Sequence, residues 1–150
     1  MAKEDLVRWL RGEHDNMCEV ADSLRERILK APPGDRRRWI SDLQDRFDAF
    51  ADRFRERIAR EEEGGYLQPL LAARPSLAEP AELLSREHVE LTRLIESVHR
   101  AVHRLSPKAL LTLRDCCKRI EDLLYWAERH EEHENHLVLY AFAEEPDQRD

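Results

Sequence analysis

The sequence predicts an all-α fold, an up-down-up-down four-helix bundle, on three observations. Apolar residues recur in alternating steps of three and four along four long segments, the spacing that puts one stripe of a helix towards a common centre. Glycine is scarce, at four residues, while Glu, Arg, Leu and Ala abound, which suits long helices better than turn-rich sheets. Proline and glycine cluster in a few places, and those places divide the chain into the four segments.

The first segment spans 4–30, with a seam of Val7, Leu10, His14, Met17, Ala21, Leu24 and Ile28. It stops at Ala31-Pro32-Pro33-Gly34, and Asp35 is the expected N-cap of the second segment, 36–63. Here the seam is Ile40, Leu43, Phe47, Phe50, Phe54, Arg57 and Glu61, and Gly64-Gly65 provides the stop. An irregular stretch from Tyr66 to Glu79, with Pro69 and Pro75, leads to Pro80, which suits the first turn of a helix over 80–105. That helix carries Leu84, His88, Leu91, Ile95, Val98, Val102 and Leu105 on its seam. Ser106 and Pro107 are the expected N-cap and first residue of the last segment, 107–144. Its seam is Leu113, Cys116, Ile120, Leu123, Ala127, His130, Glu134, Leu137 and Ala141, and Pro146 closes it. Two short connections make their neighbours antiparallel, and the length favours one domain over 1–150.

Composition excludes several functions. With 25 Lys and Arg against 32 Asp and Glu the net charge is −7, which argues against nucleic acid as a partner. Arg36-Arg37-Arg38 is short and sits beside Asp35 and Asp42. No run approaches the roughly 20 uncharged apolar residues of a membrane span, and Lys3, Glu4, Asp5 and Arg8 break any leader pattern. Three cysteines, Cys18, Cys116 and Cys117, are an odd number with two adjacent, so a reducing, cytoplasmic setting is expected. No nucleophile–base arrangement stands out and no glycine-rich phosphate loop exists, so the reading leans away from an enzyme.

The informative residues interrupt the seams. His14, Arg57, Glu61, His88, His130 and Glu134 occupy positions that a bundle buries, where an unpaired polar group costs several kcal/mol. Counted at about 1.5 Å per residue, all six belong to the same half of the bundle. Three imidazoles and two carboxylates converging in a core describe a site for iron, manganese or zinc. His130 and Glu134 are one turn apart, so both can address one ion. His99 and His103 lie off the seam and read as surface residues, as do His133 and His136, one of which has the position to orient a ligand. Cys18, one turn after His14, reads as a small buried hydrophobe, with a soft ligand or a redox thiol as the alternatives, and Cys116 lies too far along its helix to take part.

In these pieces the chain resembles the hemerythrin-like family of HHE cation-binding domains. The resemblance rests on Glu13-His14, on Glu61-Glu62-Glu63-Gly64-Gly65-Tyr66-Leu67, on Glu87-His88, and on His130-Glu131-Glu132-His133-Glu134-Asn135-His136-Leu137, in that order. It implies a non-haem di-iron centre inside the bundle, used to bind dioxygen or to sense oxygen, iron or redox state. Carried over by position, the metal ligands are His14, Glu61, His88, His130 and Glu134. The departure is Arg57, which stands where the family places a histidine one turn before the second-helix glutamate, and Thr92 stands where some members carry a further histidine. Arginine is cationic and has no lone pair to give a metal.

Three arrangements follow, holding no metal, one ion or two. Arg57 replaces the charge of a lost iron in a metal-free structural or interaction bundle; or one ion remains on a subset such as His88, His130 and a carboxylate; or Arg57 turns outward and leaves two ions. A ferritin-like di-iron oxidase, with paired Glu-x-x-His motifs, fits poorly, because the only such pair is Glu96 and His99.

Overall fold

The computed structural model describes residues 3–30, 34–63 and 67–143, and among them there is no strand. Four long helices, α1 (Lys3–Leu29), α2 (Arg36–Glu62), α4 (Ala78–His103) and α5 (Leu110–Ala143), form the bundle. A short helix, α3 (Leu67–Ala73), and a 3₁₀ turn (Pro75–Leu77) connect α2 to α4. Neighbouring pairs are α1–α2, α2–α4, α4–α5 and α5–α1, which close a square with α1 opposite α4 and α2 opposite α5. The expected up-down-up-down bundle is therefore the observed architecture. No helix among the described residues is long and apolar enough to cross a membrane.

The ends are tied locally. Asp35 caps α2 as expected, its carboxylate accepting from the Arg37 amide at 3.0 Å. Trp39 Nε1 donates to the Lys30 carbonyl at 2.8 Å, and Arg36 to the Pro107 carbonyl at 3.0 Å, so two connections are fastened to one end of α2. The breaks expected at Ala31-Pro32-Pro33, Gly64-Gly65 and Pro146 lie outside the described residues.

Three expectations need correction. Of the stretch expected to be irregular, Tyr66 to Glu79, the described part, 67–79, is largely helical, because Leu67, Leu70 and Leu77 have an apolar surface to bury. Pro69 falls in the first turn of α3, where an absent amide proton costs no hydrogen bond. The last helix starts at Leu110 and not at Pro107: Ser106 Oγ accepts from the Lys108 amide at 3.3 Å and holds a turn before it. On α1 the buried stripe is Leu6, Leu10, Glu13, Met17, Ala21 and Leu24, so Leu6 and Glu13 take the places expected for Val7 and His14.

The core is layered. One apolar cluster, built around Leu24, Leu43, Phe47, Phe50, Ile95, Val98, Ile120 and Leu123, fills the half nearer the α1–α2 connection. A smaller one, with Leu6, Leu10, Leu84, Leu137 and Val138, fills the other end. There α2 has already stopped, and Leu67 and Leu70 of α3 with Leu77 supply the missing side. Between the clusters lie the buried polar side chains of the described residues, Glu13, Arg57, Glu61, His88, His130 and Glu134.

Candidate metal centre

Each long helix contributes to this polar layer where its seam passes from one apolar cluster to the other. On α2, Arg57 and Glu61 follow Phe54; on α4, His88 falls between Leu84 and Leu91; on α5, His130 and Glu134 fall between Ala127 and Leu137. Glu61, His88, His130 and Glu134 each offer a donor atom, and these atoms lie within 4.8 Å of one another. Donors around a single ion with bonds of about 2.1 Å lie roughly 3–4.2 Å apart. The cluster is therefore within a fraction of an ångström of the size of one coordination sphere.

The imidazoles are aimed by outer carboxylates. His88 Nδ1 lies 2.6 Å from Glu62 Oε1, and His130 Nδ1 lies 2.7 Å from Glu87 Oε1. A carboxylate accepts, so Nδ1 donates and the Nε2 lone pair of each neutral ring faces the layer. Both Nε2 atoms are buried and face the central carboxylates, His88 Nε2 at 2.8 Å from Glu61 and His130 Nε2 at 3.3 Å from Glu134. Two inward nitrogen lone pairs beside two carboxylate oxygens form a donor set that fits a divalent first-row cation. The second oxygen of Glu87 holds His133 Nδ1 at 2.8 Å, so His133 belongs to this outer ring.

Arg57 points inward and is 5% exposed. Its guanidinium donates to Glu61 at 3.2 Å, to Glu131 at 3.1 Å and to Glu134 at 3.2 Å. Burial opposes its charge, but Glu134, Glu61 and Glu131 outweigh burial and hold the cation more firmly than usual. Burial and contact with Glu134 push Glu61 up to about 7. Glu134 moves the other way: burial disfavours its charge, yet Glu61, His130 and Arg57 keep it ionised below the usual carboxylate range. His88 is raised despite burial, by Glu61 and Glu62, and His130 is raised by Glu134 and Glu87. A cation at the four donors would do the work these protons do. Beside the cluster a cavity of about 50 Å³ is lined by Cys18, Phe54, Arg57, Glu61, His130 and Glu131, room for a few water molecules or a diatomic.

His14 does not join the donors, contrary to the expectation. Its side chain is 47% exposed, with Nδ1 at 2.6 Å from Glu131 Oε1 and Nε2 at 3.4 Å from Cys18 Sγ. The cause is local: Arg57 draws Glu131 towards the layer, Glu131 fixes His14, and Glu13 takes the buried position on α1. Glu13 in turn accepts from Arg60 at 3.4 Å. Burial and Glu131 raise the Cys18 thiol, so it is not an activated thiolate.

Sequence reading missed the supporting carboxylates Glu62, Glu87 and Glu131. Each neighbours or lies within three residues of a seam ligand, a signal shared with many surface glutamates in a chain with 38% charged residues.

A four-helix bundle with an imidazole–carboxylate cluster across its core is a metal-site scaffold. The hemerythrin HHE cation-binding domain model matches residues 5–142, and the chain belongs to that family. No curated protein and no solved structure matches the chain.

Proposed function

We propose that residues 1–150 form one hemerythrin-like module that holds a single iron ion on Glu61, His88, His130 and Glu134, with Arg57 in place of a second ion. The observation that carries this reading is the guanidinium buried among Glu61, Glu131 and Glu134. Three carboxylates against one guanidinium leave two negative charges, which one dication neutralises; a second dication would leave an uncompensated buried charge. The imidazole–carboxylate donors suit iron. The adjoining cavity supports a small ligand such as dioxygen, and with it a role in sensing oxygen, iron or redox state. Three free cysteines support a reducing, cytoplasmic setting.

Elemental analysis of protein purified from iron-supplemented cells tests this. One iron per chain is expected, and an Arg57→His variant is expected to carry two. Trace metal without iron–carboxylate absorption would overturn it. The second reading is a metal-free structural or interaction bundle. It is favoured by the fact that Arg57 and the two imidazoles already contact both central carboxylates. A rise from none to two ions on Arg57→His substitution would establish that reading instead.

A further inference from the structure

We propose a second metal site on the bundle surface, formed by Asp48 of α2 with His99 and His103 of α4, for a late first-row divalent cation of the zinc class. The two histidines are four residues apart, so both leave α4 on the same face and one turn apart. Their rings sit side by side, with centroids 4.4 Å apart and planes at 39°. Both Nε2 atoms aim at one oxygen of Asp48: His103 Nε2 is 2.8 Å and His99 Nε2 is 3.5 Å from Oδ1. The three donor atoms lie within 4.8 Å of one another.

An ordinary surface hydrogen bond needs one imidazole on the carboxylate. Here two rings from one helix converge on a single oxygen carried by the neighbouring helix, the arrangement in which a tetrahedral ion replaces the shared contact with three bonds. Gln44, one turn before Asp48, is held by the Val102 carbonyl at 3.1 Å, and Phe47 packs its ring 6.2 Å from that of His99.

The chemistry differs from that of the central layer. Two imidazoles and one carboxylate favour zinc or copper over earlier metals. The side chains are 41%, 36% and 40% exposed for His99, His103 and Asp48, so a fourth position faces solvent and the ion exchanges readily. Asp48 precedes Arg57 by nine residues and His99 follows His88 by eleven, placing the site roughly 14–17 Å along the bundle from the central cluster. Because the donors come from α2 and α4, occupancy clamps two adjacent helices of the square.

Zinc chloride is the probe, used on the full chain after treatment with a chelator. Equilibrium dialysis is expected to show one more equivalent of zinc on the natural chain than on the His99→Gln/His103→Gln double variant. The ring resonances of His99 and His103 are expected to move with the first additions. Asp48→Asn should weaken this equivalent by roughly tenfold or more, since even outer partners of a metal site cost that much. Equal zinc content in parent and double variant, or ring resonances that stay put up to millimolar zinc, would overturn the proposal. None of these substitutions touches Arg57, Glu61, His88, His130 or Glu134, so failure here leaves the central site unaffected.

Discussion

Arg57 Nη2 lies 3.2 Å from Glu134 Oε1, joining α2 to α5 across the diagonal of the bundle with both side chains at or below 5% exposure. Breaking a buried pair by removing one partner leaves the other charge uncompensated. Arg57→Met should therefore destabilise the metal-free protein by about 3–5 kcal/mol, read from urea unfolding in the presence of a chelator. Added divalent metal should recover part of the loss by mass action. An unchanged unfolding midpoint would show that the guanidinium contributes nothing to the fold.

His14 of α1 and His130 of α5 should behave differently. His14→Ala should leave the metal content of the natural chain unchanged, because His14 turns to Glu131 and Cys18. His130→Ala should remove the metal, because it deletes an inward donor. Metal analysis of the two variants side by side decides this. Equal losses would return His14 to the ligand set.

Glu87 holds His130 with one oxygen and His133 with the other. Outer partners that orient a ligating imidazole change affinity by about 10–100-fold. Glu87→Gln should weaken metal binding by that factor at unchanged stoichiometry, measured by competition with a chelator of known affinity.

The pH response of the metal-free protein follows from the directions of the shifts. Glu61, His88 and His130 all take up protons more readily when folded. A group with a raised folded pKa contributes stability that is complete below its unfolded pKa and is lost as pH rises through the folded one. For Glu61 that loss runs from about 4.5 to about 7, and for the imidazoles it begins above 6.5. Glu134 is shifted the other way, and its contribution is lost only on acidification below the usual carboxylate range. Between pH 6.5 and 8 the metal-free protein should therefore lose stability, by about 1.4 kcal/mol per pH unit for each proton released. Metal binding displaces the same protons, so affinity should rise over that interval. Thermal melts with and without chelator at both pH values measure the two effects.

Most of this architecture was legible because the seams are long. On α2 every expected seam residue from Ile40 to Glu61 is buried, and on α5 every one from Leu113 to Ala141. Steps of three and four leave little freedom when Phe47, Phe50 and Phe54 mark the face. α1 was less determined: Leu6 and Val7 are adjacent apolar residues, and Glu13 and His14 adjacent polar ones, so two stripes fit its first turns. Rotation of α1 is decided by what α2 and α5 present, which periodicity does not encode. The same holds for α3. Its leucines are short-range evidence of little weight until the end of α2 leaves a side of the core uncovered. At the site, the spacing puts His14, Arg57, Glu61, His88, His130 and Glu134 in one half of the bundle; all but His14 meet in the polar layer, and the carboxylates behind them are ordinary in a charged chain. The direction of Arg57 was also open, because a long aliphatic stem reaches inward or outward equally well.

The layering of the core bears on axial alignment. Leucine and alanine seams pack nearly as well when one helix slides past its neighbours by a turn, about 5.4 Å. A stratum of charge between two apolar clusters removes that tolerance. Moved one turn towards the larger cluster, the Arg57 guanidinium would face the level of Phe54 and Leu91 without a carboxylate; moved the other way, His130 would leave the level of Glu87. Arg57, Glu61, His88, His130 and Glu134 thus index all three of their helices to one height. Pairing among the protein's own charged side chains adds an axial constraint to the packing of the apolar seams.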